Sequence, residues 1–70
     1  MTYKEAAQNS LEQGRKCFQA GDFGQAARDY NHALEMLTHD AWNQTGQIDT
    51  PEIMSTRELL VEAIRRRDGV

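Results

Sequence analysis

The chain has 70 residues, of which 39% are hydrophobic and 27% are charged. This length allows one small domain, and the composition is typical of a globular chain rather than a disordered one. The formal net charge of −3 provides no overall positive field for nucleic acid, and a single cysteine, Cys17, excludes an internal disulfide and a multi-cysteine zinc site.

A first helix is predicted over residues 3–20. Thr2 and Glu5 form a capping box, in which each side chain can bond the backbone amide of the other residue. Gly21 is suited to the left-handed conformation that commonly follows the end of a helix. The first helix is therefore expected to end just before this glycine.

A second helix is predicted over residues 23–42. Asp22 and Gln25 form another capping box, so the link between the helices has only about two residues and requires an antiparallel hairpin. Apolar residues then recur at spacings of three and four: Phe23, Ala26, Ala27, Tyr30, Ala33, Leu34 and Leu37. Ala41 continues this stripe, which extends the predicted helix to Trp42.

A third helix, over residues 51–67, follows a loop at residues 43–50. Thr50 can cap this helix, and Pro51 is suited to its first turn. Its last turn carries cations, which complement the helix dipole: Arg65, Arg66 and Arg67. The apolar face of the helix is predicted to contain Ile53, Leu60, Val61 and Ile64.

Small side chains predict close packing between the first two helices. On a helical wheel at about 100° per residue, helix one presents small residues to its partner: Ala7, Ser10, Gly14 and Cys17. Helix two supplies Ala26, Tyr30 and Ala33, so that one aromatic ring fills the space between small groups. The spacing of Gly14, Ala26, Tyr30 and Ala33 resembles that of a tetratricopeptide repeat.

This resemblance covers about residues 7–38 and implies one antiparallel helical hairpin. The chain departs from the family pattern at four positions, where the family favours Trp, Leu, Tyr and Pro: Ser10, Gln13, Cys17 and Thr38. One repeat cannot cover its own apolar faces, so the third helix is expected to pack on the hairpin. The prediction is an all-α three-helix bundle over residues 1–70, an architecture also similar to microtubule-interacting-and-trafficking domains.

The resemblance also implies a binding surface on helix one. In tetratricopeptide arrays the concave surface comes from positions that correspond here to Gln8, Leu11, Arg15, Phe18 and Gln19. Two interpretations of Leu11 and Phe18 stay open: helix three packs on them, or they belong to a groove that binds a partner. A carboxylate clamp is not predicted, because Leu11 and Arg15 stand where that subclass has Lys and Asn.

Helix three adds two candidate binding residues. Arg57 lies within the predicted apolar stripe, so either its stem is buried with its head in water, or it marks where the bundle opens toward a partner. Leu59 points about 140° away from that stripe. Together with Met36, Trp42 and Met54 it could form an apolar patch. Because the core of so small a domain is thin, we expect self-association as a dimer.

No combination of side chains predicts catalysis. His32, Glu35 and His39 share one side of helix two and could bind a divalent metal, so a metal-dependent enzyme is one hypothesis. They are expected on the solvent face, with neither histidine facing helix one. Cys17 is expected to be a small core residue rather than a nucleophile. We therefore predict neither enzyme activity nor a bound metal or cofactor.

The predicted function is a protein–protein interaction module, such as an adaptor, a small chaperone-like protein or a regulatory protein. It would bind a peptide, a helix or a second copy of itself in a groove. The alternative is a nucleic-acid-associated regulator that uses Arg65, Arg66 and Arg67, which the net negative charge disfavours. With no apolar run of membrane-spanning length and no apolar signal-peptide core, we expect a cytoplasmic protein without a membrane partner.

Overall fold

A computed structural model of the chain describes residues 2–69. Within this range there are three α-helices and no strand: α1 is Tyr3–Gln19, α2 is Phe23–Thr45 and α3 is Pro51–Asp68. The predicted all-α, three-helix class is therefore confirmed. No helix in this part of the chain has both the length and the apolar character needed to cross a bilayer.

Each helix begins at a side-chain cap. The capping oxygen accepts a hydrogen bond of 3.2 Å from the backbone amide three residues later, and the pairs are Thr2 with Glu5, Asp22 with Gln25, and Thr50 with Ile53. Each cap satisfies one of the amides that the first turn leaves without a helical partner. Helix α2 extends three residues beyond the predicted Trp42 and is followed by Gly46, whose φ of 72° lies in the left-handed region.

Helices α1 and α2 form an antiparallel hairpin joined by residues 20–22. Gly21 has a φ of 83°, which suits glycine because it has no Cβ. Contacts run in opposite order along the two helices: Tyr3 with His39, Ser10 with His32, and Cys17 with Asp29. The two helices therefore lie side by side over most of the length of α1.

Gly14 and Tyr30 mark the closest approach of α1 and α2. Tyr30 is only 2% exposed, and a Cβ placed on Gly14 would lie 2.7 Å from Cε1 of its ring. Ala7, Ala26 and Ala33 are completely buried in the same helix pair. The small residues allow the two backbones to approach, and the tyrosine ring fills the space beside Gly14.

Helix α3 packs along the other side of α2. Ile53, at its start, belongs to the same buried cluster as Leu37, and Ala63 belongs to the cluster that contains Ala26. The residues of α2 and α3 therefore pair in opposite order, and the two helices are antiparallel. It follows that α1 and α3 run parallel to one another, both attached to α2 and with sparse contact between them.

The buried face of α3 differs from the predicted one. Val61 was expected in the core but is 42% exposed, whereas Thr56 and Ala63 are buried. The hydroxyl of Thr56 donates a hydrogen bond of 2.8 Å to the carbonyl of Glu52, which satisfies this polar group inside the bundle. Helix α3 is thus turned so that small side chains face α2, which permits a close approach.

Candidate functional site

A groove of about 770 Å³ runs between α1 and α3. It forms because both helices pack on α2 and leave a gap between themselves. Leu37 of α2 lies at its floor, and Leu11 and Leu59 contribute apolar surface from the two sides. The other lining residues are Lys4, Gln8, Glu12 and Arg15 of α1, and Pro51, Glu52, Ser55 and Thr56 of α3.

Helical spacing explains which residues reach this groove. Lining positions three or four residues apart lie on one face of a helix, and on α1 these are Lys4, Gln8, Leu11 and Arg15. On α3 the corresponding positions are Glu52, Ser55, Thr56 and Leu59. At 1.5 Å of rise per residue, the α1 side extends for about 16 Å. That length corresponds to three turns of a bound helix.

In the described part of the chain, a side-chain contact between α1 and α3 lies near each end of the groove. At one end, Nζ of Lys4 lies 3.9 Å from Oε1 of Glu52, and both side chains are largely exposed. At the other end, the guanidinium of Arg66 lies 5.8 Å from the centroid of the Phe18 ring. Exposed ion pairs and cation–π contacts each contribute up to about 1 kcal/mol. Weak bridges therefore flank the groove.

The structure brings four of the seven predicted binding residues to the groove: Gln8, Leu11, Arg15 and Leu59. Leu59, expected to point away from the core, is half-buried on the side of α3 that faces α1. Phe18 lies beyond the end of the groove, where it contacts Arg66 and the edge of Phe23. Leu11 is half-buried against both core clusters and also lines the groove, whereas Phe18 contacts Arg66 of helix three.

The other two predicted binding residues lie elsewhere. Gln19 is exposed at the end of α1 and does not line the groove. Arg57 lies four residues after Ile53 and three before Leu60 on α3, and its side chain is exposed. It borders a shallow depression shared with Met54 and Val61, away from the groove.

The sequence analysis does not identify most of the other groove residues, which include Lys4 and Glu12 of α1 and Leu37 of α2. On α3 it identifies Leu59 but not Glu52, Ser55 or Thr56. The available signal was their spacing with Leu59, which places all three on one side of α3.

The apolar patch predicted for self-association is not one continuous surface. Met36 packs against the core cluster of α1 and α2, and Leu59 lines the groove. Met54 and Trp42 remain 52% and 64% exposed. These two are the exposed members of the predicted patch, whereas Met36 and Leu59 are half-buried.

Arg15 is the groove cation without an ionic partner in the described part of the chain. Lys4 pairs with Glu52, and the groove carboxylate of Glu12 pairs with Lys16 at 3.6 Å. No carboxylate of residues 2–69 lies within 4 Å of the Arg15 guanidinium.

Arg15 also acts electrostatically on the buried core. Burial raises the pKa of the Tyr30 phenol above its ordinary value of 10.0, and the positive charge of Arg15 opposes this effect. Arg15 thus gives the groove a local positive charge that no described acid neutralises.

Both histidines of α2 contact α1, so the prediction that neither faces it is wrong. His32 Nδ1 and Ser10 Oγ share a hydrogen bond of 2.7 Å, and the His39 ring stacks on Tyr3 with centroids 5.8 Å apart. Glu35 instead accepts a hydrogen bond from a neighbouring side chain of α2. Within residues 2–69, no group of three His, Cys, Asp or Glu side chains is arranged to hold a metal ion.

Cys17 is a half-buried thiol whose surroundings favour the protonated form. Its Sγ donates a hydrogen bond of 3.7 Å to Oδ2 of Asp29. Desolvation raises the pKa of Cys17 above its ordinary value of 9.0, and the negative charges of Asp29 and Asp22 raise it further. These surroundings are the reverse of those that activate a cysteine nucleophile.

Comparison with known proteins gives no relative from which a role could be transferred. No family model matches the chain, and neither a curated protein nor a solved structure matches it. The groove is therefore interpreted from the geometry and chemistry of its own residues.

Proposed function

We propose that this chain is a protein-binding module whose groove between α1 and α3 receives a helix or peptide of a partner protein. One observation supports this above all: the half-buried side chains of Leu11 and Leu59 line a groove between two helix faces, above the buried Leu37. An amphipathic helix carries its own apolar side chains at spacings of three and four, and therefore matches such a surface.

The way in which the three helices pack supports the same proposal. Helix α2 holds both outer helices through the buried residues Ala26, Tyr30 and Leu37. The exposed residues on the facing sides of α1 and α3, such as Gln8, Arg15 and Ser55, take no part in the buried clusters and can serve recognition. The tetratricopeptide likeness of the hairpin supports this use of α1, because the corresponding helix forms the concave surface in such arrays.

We propose a binding role, of the adaptor, chaperone-like or regulatory kind, rather than an enzymatic one. The Cys17 thiol is held protonated, and His32 and His39 are engaged with α1. The proposal places the protein in the cytoplasm, in keeping with a single cysteine that is a free thiol.

The nucleic-acid alternative receives less support from the geometry. Nε of Arg66 donates to Glu62 at 3.0 Å, and Nε of Arg67 donates to Asp68 at 3.1 Å. Two charges of the basic cluster are thus compensated by adjacent acids, which weakens the attraction to phosphate. A titration with labelled nucleic acid at low salt tests this alternative, and salt-sensitive binding would revive it.

A peptide selection followed by paired substitutions tests the proposed function. Random 16-residue peptides are selected for binding to the immobilised chain, and their affinities are then measured for Leu59→Ala and Val61→Ala. Both substitutions shorten an apolar side chain of α3, but only Leu59 lines the groove. We expect a loss of roughly tenfold or more for Leu59→Ala and no change for Val61→Ala.

Two results would overturn the proposal. One is a selection that yields no binding peptide, and the other is an equal effect of the two substitutions. Circular dichroism of both variants separates loss of binding from loss of fold.

A further inference from the structure

The groove continues beyond the Lys4–Glu52 ion pair into a second cleft of about 270 Å³. Four residues line both cavities: Lys4, Leu37, Pro51 and Glu52. The end of α2 supplies most of the additional lining, namely Asp40, Ala41, Gln44 and Thr45. The groove and this cleft together form one channel, and the exposed ion pair crosses it. Exposed pairs of this kind contribute little to stability, so a ligand can displace this one.

The charges that line the channel cancel locally except at two residues. Lys4 and Glu52 pair with each other, and Glu12 pairs with Lys16. Among residues 2–69, neither Arg15 nor Asp40 has a group of opposite charge within 4 Å.

The Asp40 carboxylate is held in place by a neutral neighbour. Its Oδ1 accepts a hydrogen bond of 2.9 Å from Nε2 of Gln44, which orients the group without neutralising it. The channel therefore has one uncompensated cation and one uncompensated anion.

These two charges lie at opposite ends of the channel. The stacking of Tyr3 on His39 places the neighbouring Asp40 at the level of the first turn of α1. Arg15 lies about twelve residues further along α1, or about 18 Å away along the axis. In a bound helix, side chains eleven residues apart are separated by about the same distance and share one face.

We propose that the channel binds an amphipathic helical segment in one orientation, with an acidic residue at Arg15 and a basic residue at Asp40. The apolar side chains between them contact Leu11, Leu37 and Leu59. Complementary charges at both ends favour this orientation, whereas the reverse orientation places like charges together. This inference rests on the proposed function and adds the charge pattern of the partner segment.

Three synthetic peptides test the charge pattern. Each is an alanine-based helical peptide of 16 residues with three leucines, the second four residues after the first and the third three residues after the second. The first has glutamate at one end and lysine eleven residues away, the second has glutamate at both positions, and the third has lysine at both. In nitrogen-15 NMR titrations, we expect the mixed peptide to bind roughly three- to tenfold more tightly than either of the others.

The orientation is read from a nitroxide label placed beside the glutamate of the mixed peptide. We expect the label to broaden amide signals around Arg15 and to leave those around Asp40 sharp. Equal broadening at both ends of the channel contradicts a single orientation.

Charge-reversal variants provide a second test. Its expected result is a change in which peptide binds best, and loss of fold would not produce that result. We expect Arg15→Glu to bind the peptide with two lysines best, and Asp40→Lys to bind the peptide with two glutamates best. The control is Arg28→Glu, because Arg28 is exposed on α2 and does not line the channel. This variant is expected to keep the preference of the unmodified chain.

The possible failures are distinguishable. If all three peptides bind the channel equally, the charge pattern is wrong but the proposed binding function stands. If no peptide shifts the signals of Leu11, Leu37 or Leu59, both the charge pattern and the proposed function are wrong.

Discussion

The Cβ position of Gly14 lies 2.7 Å from Cε1 of Tyr30, so the tyrosine ring occupies the space that any other side chain at position 14 needs. Alanine favours a helix over glycine by about 1 kcal/mol, but overpacking a core costs about 1–3 kcal/mol. The ring is almost fully buried and has little room to move. We expect Gly14→Ala to lower the free energy of unfolding by up to about 2 kcal/mol, measured by urea denaturation.

Gly24→Ala is the matched control for this prediction. A Cβ at Gly24 would meet only the side chain of Arg67, at an ordinary contact distance of 3.8 Å. Only the higher helix propensity of alanine then acts, so the free energy of unfolding is expected to stay constant or rise by up to about 1 kcal/mol. Equal stabilisation by both substitutions would contradict the close approach of Gly14 and Tyr30.

Alkaline pH is expected to destabilise the fold through Tyr30 and Cys17. Burial raises the pKa of both groups in the folded chain, above ordinary values of 10.0 and 9.0. As the pH rises, the unfolded chain therefore loses these protons before the folded chain does. The contribution of the two protonated groups to stability is complete below pH 9, and it is lost as the pH rises through the raised pKa values of the folded chain. Chemical denaturation between pH 7 and 11 measures this loss.

The variant Tyr30→Phe isolates the tyrosine contribution to this pH dependence. It keeps the ring that packs on Gly14 and removes the titrating hydroxyl. We expect its stability to fall less steeply above pH 10 than that of the unmodified chain. Identical pH profiles would show that Tyr30 does not contribute.

Cys17 is expected to react slowly with iodoacetamide. The thiolate is the reactive form, and the burial of Cys17 and the charge of Asp29 both raise its pKa. At pH 8 we expect alkylation, followed by mass spectrometry, to be slower than that of N-acetylcysteine. Asp29→Asn removes one charge and should accelerate the reaction, whereas Asp40→Asn, a matched change away from Cys17, should leave the rate unchanged.

Self-association remains a prediction, and Trp42 is the side chain that we expect to mediate it. Its side chain is 64% exposed and can therefore contact a second copy of the chain. The largest fully buried side chains, by contrast, are those of Tyr30, Ile53 and Thr56. Light scattering at increasing concentration should show the mass rising from 8.0 kDa toward twice that value. Trp42→Ala should weaken the association more than Val61→Ala. A constant mass of 8.0 kDa at high concentration would rule out the dimer.

The starts of the helices could be predicted because their signals are local. Thr2, Asp22 and Thr50 each bond an amide only three residues away, so sequence spacing alone identifies these caps. The end of α2 was misplaced because the apolar stripe was followed to Trp42. The better signal was Gly46, whose left-handed conformation ends the helix.

The groove could not be predicted in the same way, because it depends on how α3 is rotated on α2. Apolar residues are spread around α3, and a wheel therefore gives no single buried face. The rotation is set by Ala63, which packs in the cluster of Ala26 and Ala27 and turns Leu59 toward α1. Such a fit between small residues on separate helices becomes visible only in three dimensions.

Helices α1 and α3 are each anchored on α2, and within residues 2–69 their contacts with one another are sparse. Exposed residues on their facing sides, such as Gln8, Arg15 and Ser55, take no part in the buried clusters, so substitutions there change few of the contacts that determine folding. Substitution of these residues is expected to cost little stability, whereas a side chain at Gly14 would displace the Tyr30 ring. A chain built in this way can acquire new binding specificities without first acquiring a new architecture.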